Sequence, residues 1–155
     1  MISERGEILK AFLAGPIVLR RLVRDLPDAT LRSRPAPGEW AIVEVVAHLA
    51  DTEERALART RRMLDEEEPE LPPYDPAELA TDRRYIEMAV ADELDRFESL
   101  RTEQADLLEG LTDGGWRRIG VHGEHGRITV QQLAAHPAGE DADHLAQIAR
   151  LIPAP

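Results

Sequence analysis

Between Ile42 and Leu64 the apolar side chains Ile42, Val45, Val46, Leu49, Ala56, Leu57 and Leu64 return every three or four positions, a rhythm that a helix turns into one continuous face. A face of that length has to be covered, so the rest of the chain must supply partners of the same period. Three other segments do. Ile8, Leu9, Phe12, Leu13, Leu19, Leu22, Val23 and Leu26 mark a first helix, which Pro16 is expected to kink or divide, because proline removes an amide and crowds the preceding turn. Ile86, Val90, Leu94, Phe97, Leu100, Leu107 and Leu108 mark a third helix over about Thr81 to Leu111. A fourth begins at Thr129, whose hydroxyl and the Gln132 amide form a capping box, and runs toward Pro153. Aromatic residues make up only 4% of the 155 positions, which favours helix over sheet. The expectation is one all-α domain spanning residues 1–155, a four-helix bundle.

The connections refine this picture. PAPGEW separates helices one and two. Between helices two and three, DEEEPELPPYDP holds four prolines and a run of acids, the composition of an extended, exposed connection. A link that long lets helices two and three run parallel, giving up-down-down-up topology. The segment DGGWRRIGVHGEHGR before helix four is glycine-rich and reads as an irregular loop.

A formal charge of −11 repels phosphate backbones and anionic membrane surfaces, so nucleic acid and membrane are not expected as partners. Without cysteine there is no thiolate nucleophile and no Cys-ligated zinc, and any metal must use His, Asp or Glu. Ser3, Ser33 and Ser99 lie in no nucleophile elbow, and neither DGGW nor GVHGEHG follows a strand or matches a phosphate-binding loop. MISERGEILK has charges where a signal peptide needs an apolar region, and no stretch approaches a membrane span. The expected setting is the cytoplasm.

Chemistry is sought among the histidines. His48 falls about 60° from Val45 around helix two, at the edge of the apolar stripe, where a lone histidine is more often structural than a ligand. On helix four, His136, Glu140 and His144 are spaced i, i+4, i+8, with Gln147 on the same edge. Imidazole and carboxylate suit zinc, iron, nickel or manganese, so helix four could supply two ligands and helix two the third. The bland alternative is a solvated flank, with Glu140, Asp141 and Asp143 in water and His144 merely packing. His122 and His125 of HGEH form another pair, in a turn that lacks the rigidity of a helical spacing.

GEWAIVEVVAHLADTEE and GRITVQQLAAHPAGEDADHLAQI resemble the DinB/YfiT-like family over nearly the whole chain. The resemblance implies an up-down-down-up four-helix bundle that usually dimerises. It also implies one divalent metal ion, bound by the histidine of the AHLAD block, here His48, and by an HDxxH block that maps onto Glu140, Asp141 and His144. Glu140 stands where that family has histidine, so the ligand set becomes His48, Glu140 and His144. Pro137, one turn earlier, is expected to kink or restart the helix and so to move Glu140 off the site, or to serve as the first residue of a restarted helix.

The leading functional reading is a metal-dependent hydrolase or thiol-dependent transferase acting on a small molecule, since a bound ion brings the acidity of water toward neutrality. Arg55 and Arg59, on the same side of helix two as His48, could meet an anionic substrate, although arginines on a helix edge more often pair with neighbouring acids such as Asp51 and Glu54. Glu44, Asp51 and Glu53 are all open as general acid or base. The other reading is a non-catalytic dimeric bundle, its metal site degraded by Glu140 and Pro137, that binds a small molecule or a protein partner.

Overall fold

The computed structural model describes residues 3–155. Helix α1, Glu4–Val23, starts where the Ser3 hydroxyl accepts from the Gly6 amide. Acids in its first turn and arginines in its last complement the helix dipole. Ile8, Phe12, Leu19 and Val23 turn inward. The helix runs through Pro16 without a break, contrary to the expected division. It stops before Leu26, and a one-turn helix, α2, follows at Asp28–Leu31. Helix α3, Ile42–Asp65, has no capping side chain at Ala41, so the Glu44 carboxylate reaches back to the Ala41 amide. Every residue from Ile42 to Asp51 is buried, which makes α3 the central element.

The expected third helix is broken. Its first two residues end a separate helix, α4, Pro76–Asp82, capped by Asp75, and the next ones form a 3₁₀ turn at Tyr85–Glu87. Only Val90–Glu109 is the long helix α5. Between the pieces Arg84 takes a left-handed conformation (φ 55°), and Tyr85 donates its hydroxyl to buried Asp51. That tertiary bond pulls the chain out of helical register, a competition that local periodicity does not reveal.

The two segments read as free loops are also ordered. Glu70–Leu71 forms β1, which pairs in parallel with β2, Ile119–His122. β2 then forms an antiparallel hairpin with β3, Gly126–Thr129. A short helix, α6 at Asp113–Trp116, precedes the hairpin under a Thr112 cap. Gly120 is required in β2, since a Cβ there would meet Leu71 Cδ1 at 2.8 Å and Met63 Cγ at 2.9 Å. Helix α7, Val130–Leu151, begins with the expected capping box. It continues through Pro137 without a restart.

Side-chain partners set the helix directions. Asp51 meets Arg96 and Thr60 meets Gln104, so α3 and α5 run parallel. Arg20 bonds Asp95 and Glu98 while Arg101 bonds the Phe12 carbonyl, so α1 opposes α5. Arg5 bonds Gln131 whereas Gly15 abuts Asp141, so α1 and α7 run together. The bundle is therefore up-down-down-up. Its apolar interior divides into one cluster around Phe12, Leu108 and Leu133 and another around Leu19, Val46, Phe97 and Ile148. Between them lies a polar layer: Glu53, Arg101 and Asp141, each from a different helix and all buried. Arg101 donates to both Asp141 oxygens at 2.7 and 2.8 Å and to Glu53, and its guanidinium centre lies 5.0 and 4.6 Å from the Phe12 and Phe97 ring centroids. No helix among the described residues is long and apolar enough to cross a membrane.

Candidate metal centre

Antiparallel packing of α3 against α7 brings His48 and His144 together, their ring centroids 4.8 Å apart. Trp40, just before α3, covers the other side of His48 at 5.0 Å. Only 6% of His48 is exposed, and its Nδ1 is buried without a hydrogen-bond partner among the described residues. Burial first, and the neighbouring His144 second, push the His48 pKa down to about 4 against the opposing pull of Asp51. The imidazole is therefore neutral at physiological pH, the form that offers a lone pair.

One turn before His144 on the unbroken α7, Glu140 brings its Oε2 to 3.4 Å from His144 Nε2. Ligands of one first-row ion, each about 2.1 Å from it, lie roughly 3.3–3.5 Å apart in tetrahedral geometry. His144 Nδ1 lies 2.9 Å from Gln147 Oε1. With Nδ1 as donor to that oxygen, Nε2 keeps its lone pair for the Glu140 side, the kind of outer contact that orients a ligating histidine. His48, Glu140 and His144 each offer one ligand atom within 4.8 Å of the others. An orphaned buried imidazole nitrogen beside a second histidine and an exposed carboxylate fits a divalent ion.

The three side chains line a cleft of about 710 Å³. Its walls include Trp40, Tyr74 from the crossover and His122 from the hairpin. His136, the first member of the α7 row, does not join His48; it lies 5.2 Å from His125, centroid to centroid, elsewhere in the same cleft. Asp141, far from being solvated, is held by Arg101.

The three acids left open for proton transfer have separate surroundings. Glu44 receives two hydrogen bonds from Arg34 and one from the Ala41 amide. Burial would raise its pKa, but these donors, Arg34 foremost, hold it below the ordinary carboxylate value. Asp51 is saturated by Tyr85, Arg83 and Arg96, and so ties α3 to the crossover and to α5. Glu53 lines the cleft; burial raises its pKa against the opposing Arg101 charge, and Glu53 Oε1 has no partner among the described residues. The two arginines differ as well: Arg55 lies over the Tyr74 ring at 4.3 Å, whereas Arg59 lines the cleft. Arg101, Trp40 and Tyr74 were not singled out from sequence. Arg101 alone left a sequence trace, as a cation four residues after Phe97 and seven before Leu108 on an apolar stripe.

A family model described as the DinB superfamily matches residues 11–148. The chain belongs to the DinB superfamily. Among DinB relatives, a protein of Geobacillus thermodenitrificans named "Putative metal-dependent hydrolase" is 30% identical over 152 residues, 95% of this chain and 85% of that protein. The Bacillus subtilis protein "Putative metal-dependent hydrolase YfiT" is 26% identical over 150 residues, covering 96% of this chain and 84% of its own length. A solved structure of YfiT from Bacillus subtilis, described as "a probable metal-dependent hydrolase with an unusual four-helix bundle topology", superposes with a TM-score of 0.87 at 24% identity. That match covers 95% of this chain and 85% of the YfiT chain, and it shows that the DinB bundle extends over almost all of both.

Proposed function

We propose that this DinB-superfamily protein is a metal-dependent enzyme, a hydrolase or thiol-dependent transferase of a small-molecule substrate, with His48, Glu140 and His144 as ligands of one zinc, nickel, iron or manganese ion. The observation that carries the reading is the convergence of those three donors within 4.8 Å at the wall of a cleft of substrate size. The names of the Geobacillus and Bacillus relatives support it. When bound, such an ion supplies Lewis acidity that brings the ionisation of water from far above neutrality toward about pH 7 and favours the thiolate form of a thiol.

The chain's own groups take the remaining roles. Neutral His48 presents a nitrogen lone pair without first losing a proton, and Gln147 braces the His144 ring. Glu140 adds one negative charge, which strengthens retention of the ion and tempers its acidity relative to three neutral imidazoles. Glu53, whose buried Oε1 has no partner among the described residues and whose pKa is raised by burial, is the carboxylate suited to hold or release the reaction's proton. Trp40 and Tyr74 form apolar walls that exclude water from the reacting end.

The protein is further proposed to pair with a second copy through α1, where Leu13, Ile17 and Val18 leave an exposed apolar face. A mass measurement in solution tests this, with Ile17→Glu expected to yield monomers.

Elemental mass spectrometry on untagged protein tests the metal reading, alongside His48→Ala and Glu140→Ala. About one ion per chain, reduced in both variants, is expected. No metal in any of the three after reconstitution would overturn the enzyme reading in favour of a non-catalytic binding bundle. With metal present, turnover of ester and amide substrates with and without added thiol separates hydrolase from transferase.

A further inference from the structure

The cleft has a second group of side chains that the metal reading leaves unused. Arg59 of α3, His122 at the end of β2, His125 in the hairpin turn and His136 of α7 all line it. The His122 and His125 rings stack at 4.8 Å with 23° between their planes, and His125 lies 5.2 Å from His136. Hairpin register, with His122 opposite Gly126, holds the turn in place.

Arg59 is unusual in so acidic a chain. The other arginines of the cleft are engaged, Arg101 by Glu53 and Asp141 and Arg127 by Glu68. Arg59 is half-buried and donates to one backbone carbonyl, that of Pro72, at 2.7 Å, with Tyr74 5.8 Å from its guanidinium centre. Among the described residues it has no carboxylate within ion-pair distance. Burial lowers its pKa, yet a guanidinium remains charged at any physiological pH. A partly desolvated cation without a direct ion pair is costly unless an anion completes it. Glu124 lines the same cleft and its charge acts on Arg59 and His122, but it is exposed in the turn and makes no ion pair with Arg59.

The histidines add donors. His122 Nδ1 accepts the Glu124 amide at 3.1 Å, so in the neutral ring the proton is on Nε2, which is then a donor. A planar guanidinium with imidazole N–H donors beside it suits a carboxylate or phosphate group.

The spacing to the metal centre follows from the helices. Arg59 is eleven residues beyond His48 on α3, and His136 is eight before His144 on α7; at about 1.5 Å per residue these offsets are roughly 16 and 12 Å. We propose that Arg59, His122, His125 and His136 form a subsite for the carboxylate or phosphate end of an elongated anionic substrate, whose other end lies at His48, Glu140 and His144. The second half of that statement rests on the metal reading; the anion subsite does not.

The test uses metal-free full-length protein at pH 7.5, titrated with inorganic phosphate and separately with succinate, following the ring signals of all five histidines by NMR. Saturable shifts confined to His122, His125 and His136 are expected, weakened at least about tenfold in Arg59→Met and strengthened in Glu124→Gln. His144→Ala, which disables the metal centre, should leave them unchanged. Tighter binding of phosphate assigns a phosphoryl end to the substrate, and tighter binding of succinate a carboxylate end. Non-saturating shifts spread over all five histidines, or saturation equally strong in Arg59→Met, would overturn the subsite. Should metal retention fail while the anion response persists, the metal reading falls and the subsite stands.

Discussion

Arg101 and Arg59 line the same cleft, one enclosed by two carboxylates and two aromatic rings, the other touching a single backbone carbonyl. The first is closed chemistry. Its donors are matched, its charge is more than balanced, and what it does is join α1, α3, α5 and α7 across the middle of the bundle. The second is open. Its guanidinium is partly desolvated and has no ion pair among the described residues, with the Glu124 charge acting on it only from farther off, and the side chains around it come from a turn and a helix flank. The contrast separates the arginine that holds the fold from the one available to a ligand.

The strongest way to break this comparison is Arg101→Met. It leaves Glu53 and Asp141 buried without a cation, and loss of one partner from such a set costs about 3–5 kcal/mol; urea unfolding should show it, whereas Arg59→Met should lose less than about 0.5 kcal/mol. Equal losses would erase the distinction. Gly15→Ala strikes the same layer from α1, because its methyl would run into Asp141 and come within 3.1 Å of Arg101 Nη1; a loss of about 1–3 kcal/mol is expected in the same assay.

At the metal centre the comparison is sharpened by Gln147→Leu, which removes only the brace on His144. Metal affinity should fall about 10- to 100-fold with little change in stability of the metal-free protein, as read by competition with a chelating dye. The smallest effect concerns acid. Glu44 is held below the ordinary carboxylate pKa by Arg34 and the Ala41 amide despite its burial, so the unfolded chain takes up its proton first as the pH falls. The stability it contributes is present above about pH 4.5 and is lost below it. Glu44→Gln should therefore give a flatter stability curve below pH 4.5, and a curve parallel to the parent's would show that this pair does not contribute.

Much of the bundle is legible from residue spacing, because four apolar stripes of helical period need one another. The start of α5 is not. Thr81 to Ile86 fit the period, but the bond from Tyr85 to Asp51 and the left-handed Arg84 outweigh it. The small sheet is invisible for a related reason: strands of two to four residues carry too little alternation to read, and β1 finds its partner only after the helices have brought residue 121 beside residue 70. At Pro16 and Pro137 the division or restart that proline allows does not occur, since both lie inside continuous helices. Within the cleft, His48, Glu140 and His144 stand out by helical spacing and by resemblance, and their side chains do converge. His122 and His125 read as a loose turn because the short hairpin that holds them leaves no alternation in the sequence. Glu53 could not be ranked above Glu44 and Asp51, because the partners that occupy the other two come from Arg34 and from the distant Arg83, Tyr85 and Arg96.

The pairing of Glu70 with Val121 and Leu71 with His122 joins segments roughly fifty residues apart in the chain. Closing so long a loop is entropically slow and is rewarded here by only a short ladder. The helices can associate before it forms, so the cleft wall that carries Tyr74 and His122 should be the last part of the molecule to gain protection from amide exchange and the first to lose it. Access to the cleft would then be governed by the local opening of three small strands, at a cost well below that of unfolding the bundle.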